Sequence, residues 1–212
     1  MKKIIHAYTV KQAAKSDRVI SIDDRTVITP LARETARELN VRFVKGPLPK
    51  KSNRLKDVTD VKVIVIGADH GGFKMKEELK SFLREHQFIV HDLGTGSEKA
   101  CDYPDYAFAV AEAVSRGEAD LGIMIDSVGI GSAMAANRVP GVLAAKCNTV
   151  VEARSAREHN YANVLTLGAK MIGMTMAQEI ALAFIQTAGG AERHKRRVTK
   201  ILEYDPSKNQ NA

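Results

Sequence analysis

Tryptophan is absent from this 212-residue chain, and aromatic residues of all kinds make up 5% of it. There is therefore little material for stacking nucleic-acid bases. Cysteine is nearly absent too. Cys101 and Cys147 are the only two, which excludes a disulfide framework. No apolar run approaches the length of a membrane-spanning helix. The start, Met1-Lys2-Lys3-Ile4-Ile5-His6, has neither the long apolar stretch nor the small-residue cleavage site of a secretory leader. These absences lead us to expect a cytoplasmic protein with no membrane partner.

The charge is unevenly spread. Residues 1–60 hold 14 of the 32 Lys and Arg but only 7 of the 25 Asp and Glu, so they carry the whole formal charge of +7. The rest of the chain is balanced. Nucleic-acid-binding proteins usually carry the basic excess on the binding domain itself, so nucleic acid is not expected as the ligand of the main domain.

Residues 46–60 are polar, basic and proline-punctuated, which reads as a linker. Beyond it, short β-branched runs alternate with helical periodicity. Strands are expected at Val61–Ile66, Phe88–Leu93, Leu121–Ile125, Val142–Lys146 and Val164–Leu167. Helices are expected at Gly71–His86, Tyr106–Arg116, Val150–His159, Met176–Thr187 and Ala191–Glu203. Five strands separated by helices predict an α/β fold, a parallel doubly wound sheet over 61–203, followed by a tail over 204–212. No internal repeat is visible.

Residues 1–45 form an extension with a small α/β unit over Ser21–Val44. There Thr29 caps a helix that begins at Pro30 and runs to Asn40, and a strand follows at 41–44. This unit looks too small for a core of its own and is expected to dock elsewhere.

The segment richest in chemistry is Ile125-Asp126-Ser127-Val128-Gly129-Ile130-Gly131-Ser132. An apolar strand leads in, and a small-residue helical segment, Ala133–Asn137, leads out. Glycines at such a strand-to-helix turn let backbone N–H groups converge on one anionic atom. Asp126 stands at the carboxyl end of a strand, where open α/β sheets bind ligands. Gly67-Ala68-Asp69-His70-Gly71-Gly72 follows the first strand, and Asp102-Tyr103-Pro104-Asp105-Tyr106 lies in the connection after the second. Arg157-Glu158-His159-Asn160 closes a later helix. On the last helix Arg193 and Arg197 share a face beside His194, an arrangement suited to a phosphate dianion. Taken singly, each has a plainer reading: glycines in a tight turn, a histidine capping a helix end, a solvated basic face, and Cys147 in the core. Together they are expected to converge on one edge of one sheet.

These motifs, with Ala135-Ala136-Asn137 and Ala162-Asn163-Val164, closely resemble the ribose-5-phosphate isomerase B / galactose-6-phosphate isomerase family over about residues 61–203. The resemblance implies a Rossmann-like three-layer sandwich, a homodimer or tetramer with active sites shared between subunits, and no metal or organic cofactor. It also implies interconversion of aldose and ketose phosphates through a cis-enediolate, with the glycine turn 129–131 supplying oxyanion donors. Carried over residue by residue, His159 helps open the sugar ring, Asp69 and Tyr103 contact ring hydroxyls, and Asn160 a sugar oxygen. His70, Lys170, Arg193, His194 and Arg197 hold the phosphate, with Lys170 in place of the usual Arg.

The base position departs from the pattern. One branch of the family has Cys at the position of Asp126, and another has Glu at that of Ser132. The usual hydroxyl at Val128 is also missing, although Ser127 and Ser132 flank it. Asp126 is then the expected base. The alternative is a catalytically impaired sugar-phosphate-binding or partner subunit. The segment Ile28-Thr29-Pro30-Leu31-Ala32-Arg33 resembles an element of some bacterial microcompartment-associated proteins, which implies recruitment to a shell; a docked structural extension is the other reading.

Overall fold

In a parallel sheet covered on both faces, every strand position is buried, and continuous β-branched runs are the result. The runs after residue 60 are of this kind. The computed structural model describes residues 4–5, 7–14, 19–22, 26–45 and 60–204. The linker expected over 46–60 lies outside them except for Asp60, as does the tail from 205 onward. The chain divides into two units, 1–50 and 51–212.

The first unit contains β1 (Ile4–Ile5), α1 (Ala7–Ala14), β2 (Val19–Ile22), β3 (Val27–Ile28), α2 (Pro30–Glu38) and β4 (Arg42–Lys45). The Thr29 side chain accepts the Ala32 N–H at 3.2 Å, and Pro30 opens the helix, as the sequence predicts. The helix ends at Glu38 rather than Asn40, which turns left-handed with φ 52°. Two expectations are corrected. The Ser21–Val44 segment is part of a larger unit with a core of its own, in which Ile5, Val10 and Ile20 from before that segment pack with Ala32, Ala36 and Val41. The larger unit also contains a repeat. β1 pairs with β3 in the register Ile4↔Val27, and β2 pairs with β4 in the register Val19↔Arg42. Both registers are offset by 23 residues, and so are the starts of α1 and α2. A β-α-β segment therefore occurs twice, side by side.

The second unit comprises β5 (Val63–Ala68), α3 (Phe73–Glu85), β6 (Ile89–Asp92), α4 (Tyr103–Arg116), β7 (Leu121–Asp126) and α5 (Ile130–Ala136). It continues with β8 (Ala144–Lys146), α6 (Val150–Asn160), β9 (Val164–Gly168), α7 (Met174–Gln186) and α8 (Glu192–Leu202). All five strands run parallel in the order β6-β5-β7-β9-β8. Side chains alternate between the faces. Ile64, Ile66, Leu121, Ile123 and Ile125 pack with α3, α6 and α7. Val65 and Met124 pack with α4 and α5 on the other face. This is the three-layer α/β architecture.

The chain order reverses between β5 and β7, so the crevice at their carboxyl ends is the switch point of the sheet. The helix α4 starts at Tyr103, three residues before the apolar periodicity begins, because Pro104 fits a first helical turn. Tyr103 is thus on a helix rather than in a loop. Cys147 lies in the core, where burial pushes its thiol up to about 12.

A compact charge cluster fastens α3 to the edge strand β6. Buried Lys76 reaches Asp92 at 2.6 Å and Glu77 at 2.8 Å, and Lys80 reaches the same two carboxylates at 2.7 and 2.6 Å. Burial pushes the Asp92 carboxyl up, but the two ammonium groups and the Gly94 N–H together hold it below its ordinary 3.8. Hydrogen bonds from Lys76 and Lys80 hold Glu77 down as well. Depressed carboxyls contribute stability that is complete above their unfolded values and lost as pH falls through the folded ones. Thermal melts should therefore drop as pH falls below 3.8. Asp92→Asn should melt lower than wild type at pH 7 and show a shallower acid decline. Parallel declines in the two proteins would exclude this cluster as a source of acid lability.

Candidate active site

The turn after β7 is organised by the carboxylate that precedes it. Asp126 Oδ1 accepts the Val128 N–H at 2.7 Å and the Gly129 N–H; Oδ2 accepts the Ser132 N–H at 3.2 Å and the Ser132 hydroxyl. Asp126 is 6% exposed and Ser132 fully buried. Gly129 takes φ 86°, a left-handed conformation that costs an L side chain about 1 kcal/mol or more. Its carbonyl accepts the Thr166 hydroxyl at 2.8 Å. α5 begins at Ile130, earlier than the expected Ala133. The N–H groups of Ile130 and Gly131 have no acceptor among the described residues. They are the turn's open donors, beside a carboxylate that closes the others.

The neighbouring loop meets this turn. Asp69, buried at the end of β5, accepts the Gly71 and Gly72 N–H groups at 2.9 and 3.1 Å and donates its own N–H to Ile125 O. Its other oxygen lies 3.8 Å from His70 Nδ1. The Ser127 hydroxyl packs where a Cβ on Gly71 would stand, and Tyr103 covers Gly131. Lys170 follows β9 and donates its N–H to Ser127 O at 3.0 Å, with its side chain exposed. Asp69, His70, Tyr103, Asp126, Ser127, Ser132, Lys170 and the 129–131 turn therefore form one group at the carboxyl ends of the strands.

The remaining residues form a second group elsewhere. α6 leaves the carboxyl end of β8 and returns to the amino end of β9, so His159 and Asn160 sit at the amino ends of the strands. Gly190 donates to Glu158 O at 2.8 Å, which starts α8 at the same end. His159 stacks on His194, with ring centroids 4.5 Å apart and planes 27° apart. Asn160, Arg193 and Arg197 are exposed nearby. Partial desolvation, then the charges of Arg193, His159 and Arg197, hold His194 below its ordinary 6.5, against a smaller opposing pull from Glu158.

The five residues of β9 separate the two ends by roughly 16 Å at about 3.3 Å per residue. The expected convergence of every cluster on one edge is thus not met within one chain, because a crossover helix runs antiparallel to its strands.

Other motif residues hold the fold rather than face the crevice. Arg157, 1% exposed, donates to the carbonyls of Ala162 and Thr187. Asn137 ties α5 to β8 through both hydrogen bonds with Ala144. Asn163 clasps Leu143 and Gly141. Two contributors escaped the sequence reading. Thr166 positions the glycine turn, and its signal was a lone hydroxyl inside an apolar strand. Cys101 surrounds His70 Nδ1 with its carbonyl at 3.2 Å and its N–H at 3.3 Å, which nothing in the sequence announces. Among the described residues, no group of three or more His, Cys, Asp or Glu is placed to hold a metal ion. No helix among them is long and apolar enough to cross a membrane.

The model of the Ribose/Galactose Isomerase family matches residues 64–201. This chain belongs to that family. Ribose-5-phosphate isomerase B of Escherichia coli is 38% identical over 149 residues, covering 70% of this chain and all of that protein. The ribose-5-phosphate isomerase B structure from Clostridium thermocellum superposes with a TM-score of 0.66 at 44% identity, covering 66% of this chain and 95% of that one. The Mycoplasma genitalium enzyme, solved with bound ribulose-5-phosphate, gives 0.64 at 40% identity over 67% and 95%. The 1–50 unit lies outside the matched span.

In this isomerase-family member Tyr103 lies close over Gly131 in the crevice. A Cβ added there would lie 2.6 Å from Tyr103 Cζ and 2.8 Å from its hydroxyl oxygen. Gly131→Ala should displace the ring and cut kcat/KM for a sugar phosphate by about tenfold or more, since small displacements of site groups have large kinetic effects. The melting temperature should hardly change. Steady-state kinetics beside a thermal melt check this, and wild-type kinetics would show that Tyr103 does not need its present place.

Proposed function

We propose that the protein interconverts an aldose phosphate and a ketose phosphate, ribose 5-phosphate and ribulose 5-phosphate or a related pair, through a cis-enediolate with Asp126 as the base. The observation that carries this reading is the Asp126 carboxylate, fixed beside the open N–H groups of Ile130 and Gly131. A base next to oxyanion donors is what proton abstraction alpha to a carbonyl requires. The proton leaves one carbon for the carboxylate, and negative charge develops on the substrate oxygen at the two N–H groups. Within the cis-enediolate the hydroxyl proton passes from the neighbouring oxygen to that one, and the acid returns the carbon-bound proton to the neighbouring carbon.

A carboxylate offers about four lone-pair positions, and Asp126 has four donors. Three are backbone N–H groups held by the turn. The fourth, the Ser132 hydroxyl, withdraws by a side-chain torsion alone, which makes Oδ2 the proton acceptor and Ser132 its gate. Ser127, at the Gly71 contact, shapes the floor between the two loops. Asp69, Tyr103 and Asn160 are assigned to the sugar oxygens and His159 to ring opening. The phosphate is assigned to His70, Lys170, Arg193, His194 and Arg197. Lys170 supplies charge without the planar fork of an arginine.

Two observations support a site completed by a second copy of the chain. The assigned residues lie at opposite ends of one sheet. Val128, Ile130 and Met134 also leave an apolar rim beside the turn, 39, 50 and 67% exposed. A two-fold dimer would bring the amino-end group of one chain to the carboxyl-end group of the other.

Asp126→Asn should lower kcat by about 10² to 10⁴ across a panel of three- to six-carbon aldose and ketose phosphates, with inorganic phosphate still bound. Unchanged turnover removes Asp126 from the base role. If wild type binds phosphate yet turns over no panel member, the binding-subunit reading takes its place. For the shared site, Asp126→Asn and His159→Gln chains are each expected to be inactive alone. Mixed and allowed to exchange subunits, they should recover about a quarter of wild-type activity, because half of the dimers then hold one intact site in two. No recovery despite exchange would place each site within one chain.

A further inference from the structure

The stacked imidazoles of His159 and His194 have a consequence beyond their separate assignments. We infer that the two rings act as one unit sharing a single proton, which a bound dianion draws in and His194 carries, so that His159 stays neutral. The inference rests on the proposed sugar-phosphate reading of this end of the molecule.

The geometry makes double protonation unfavourable. The ring centroids are 4.5 Å apart, and the planes are nearly parallel at 27°. Like charges at that separation repel strongly, and closely coupled groups lose their protons as a pair. Among the described residues of the same chain, the charged groups facing the pair come from two helices. From α6 comes Glu158, whose Oε1 lies 3.7 Å from His159 Nε2, with the uncharged Ser155 hydroxyl 3.2 Å from Nδ1. From α8 come Arg193 and Arg197, which act on His194. α7 also packs on α6, but its single titratable residue, Glu179, lies in the half of the helix nearer the carboxyl ends of the strands.

With the site empty, two guanidinium groups act against any proton on His194, in the direction already noted for it. A bound dianion cancels that field and reverses its sign, so the pair takes one proton from solvent. His194 lies between the two arginines in sequence and carries it. The stack then refuses a second proton to His159. A neutral His159 can take the proton of the anomeric hydroxyl only as it passes it to the ring oxygen and the ring C–O bond breaks, so it holds no full charge beside His194 and ends neutral. In this arrangement His194 is a positioning residue for the protonation state of its neighbour as well as a phosphate ligand.

Sulfate is a suitable probe because it is a dianion with no proton of its own at neutral pH. Calorimetric titration of the full chain with saturating sulfate at pH 7, in buffers of different ionisation enthalpy, should show uptake of up to about one proton per site. His159→Phe should retain the uptake. His194→Phe, which keeps a stacked ring but no ionisable group, should lose it. Removing the neighbouring positive charge also makes His159 easier to protonate. The acid limb of kcat, which reports the complex with the dianion bound, should therefore move to higher pH in His194→Phe, by about one unit. A purely structural role would lower the whole profile without moving the limb.

Uptake that persists in His194→Phe, uptake lost in His159→Phe, or an unmoved acid limb overturns the inference. The sulfate titration needs no turnover. If no sugar phosphate is isomerised, it still decides the question, with the His159 ring resonance titrated in sulfate replacing the rate profile.

Discussion

The hydrogen bonds gathered by one carboxylate determine the shape of the crevice. Asp126 draws in the N–H groups of Val128, Gly129 and Ser132 and the Ser132 hydroxyl. That bends the chain from β7 into α5 within three residues and leaves Ile130 and Gly131 with their donors outward. Thr166 holds the same turn from β9, Lys170 from the segment beyond it, and Tyr103 closes over it from α4. The sheet order supplies the place, since the chain order reverses between β5 and β7. Without the carboxylate, four donors at a buried turn would lack partners, each a loss of about 1–3 kcal/mol. The residue assigned to chemistry is therefore also the one that the local fold most needs, so its substitution must be read alongside a melt.

Much of the fold was legible because buried parallel strands and amphipathic helices write strong patterns. Val63–Ala68, Leu121–Asp126 and Val164–Gly168 are nearly continuous apolar runs, and the helices between them keep one apolar face. Edges were less legible where the pattern and the backbone part company. Tyr103 and Pro104 are polar or punctuating residues, yet they form the first turn of α4. The candidate residues themselves were legible as motifs, and the chain is a member of the family they resemble.

Their grouping was not legible. A motif at the end of a strand and a motif at the end of a helix look equivalent in one dimension, but a crossover helix returns to the opposite end of the sheet. His159 and Asp126 are therefore divided within one chain although both belong to the motif set. The hydrogen bonding of Asp126 was equally hidden, because it depends on the left-handed turn at Gly129 and not on any spacing. The histidine stack joins residues 35 positions apart, on helices whose packing depends on the Gly190 contact with Glu158.

The duplicated β-α-β segment has a consequence for how far such a pattern can extend. Only Ile5/Ile28 and Ala13/Ala36 are identical between the two copies, which is why it escaped a reading by residue type. The differences are ordered. Val10 is fully buried, and its counterpart one repeat later is the exposed Arg33; Ala32 is fully buried, and its counterpart one repeat earlier is the exposed Thr9. At these two positions each copy is apolar where it is buried and polar where it is exposed. Terminal repeats of longer arrays are capped in this way. Each of the two copies therefore presents, at one of these positions, a polar side chain where a further copy would need an apolar one.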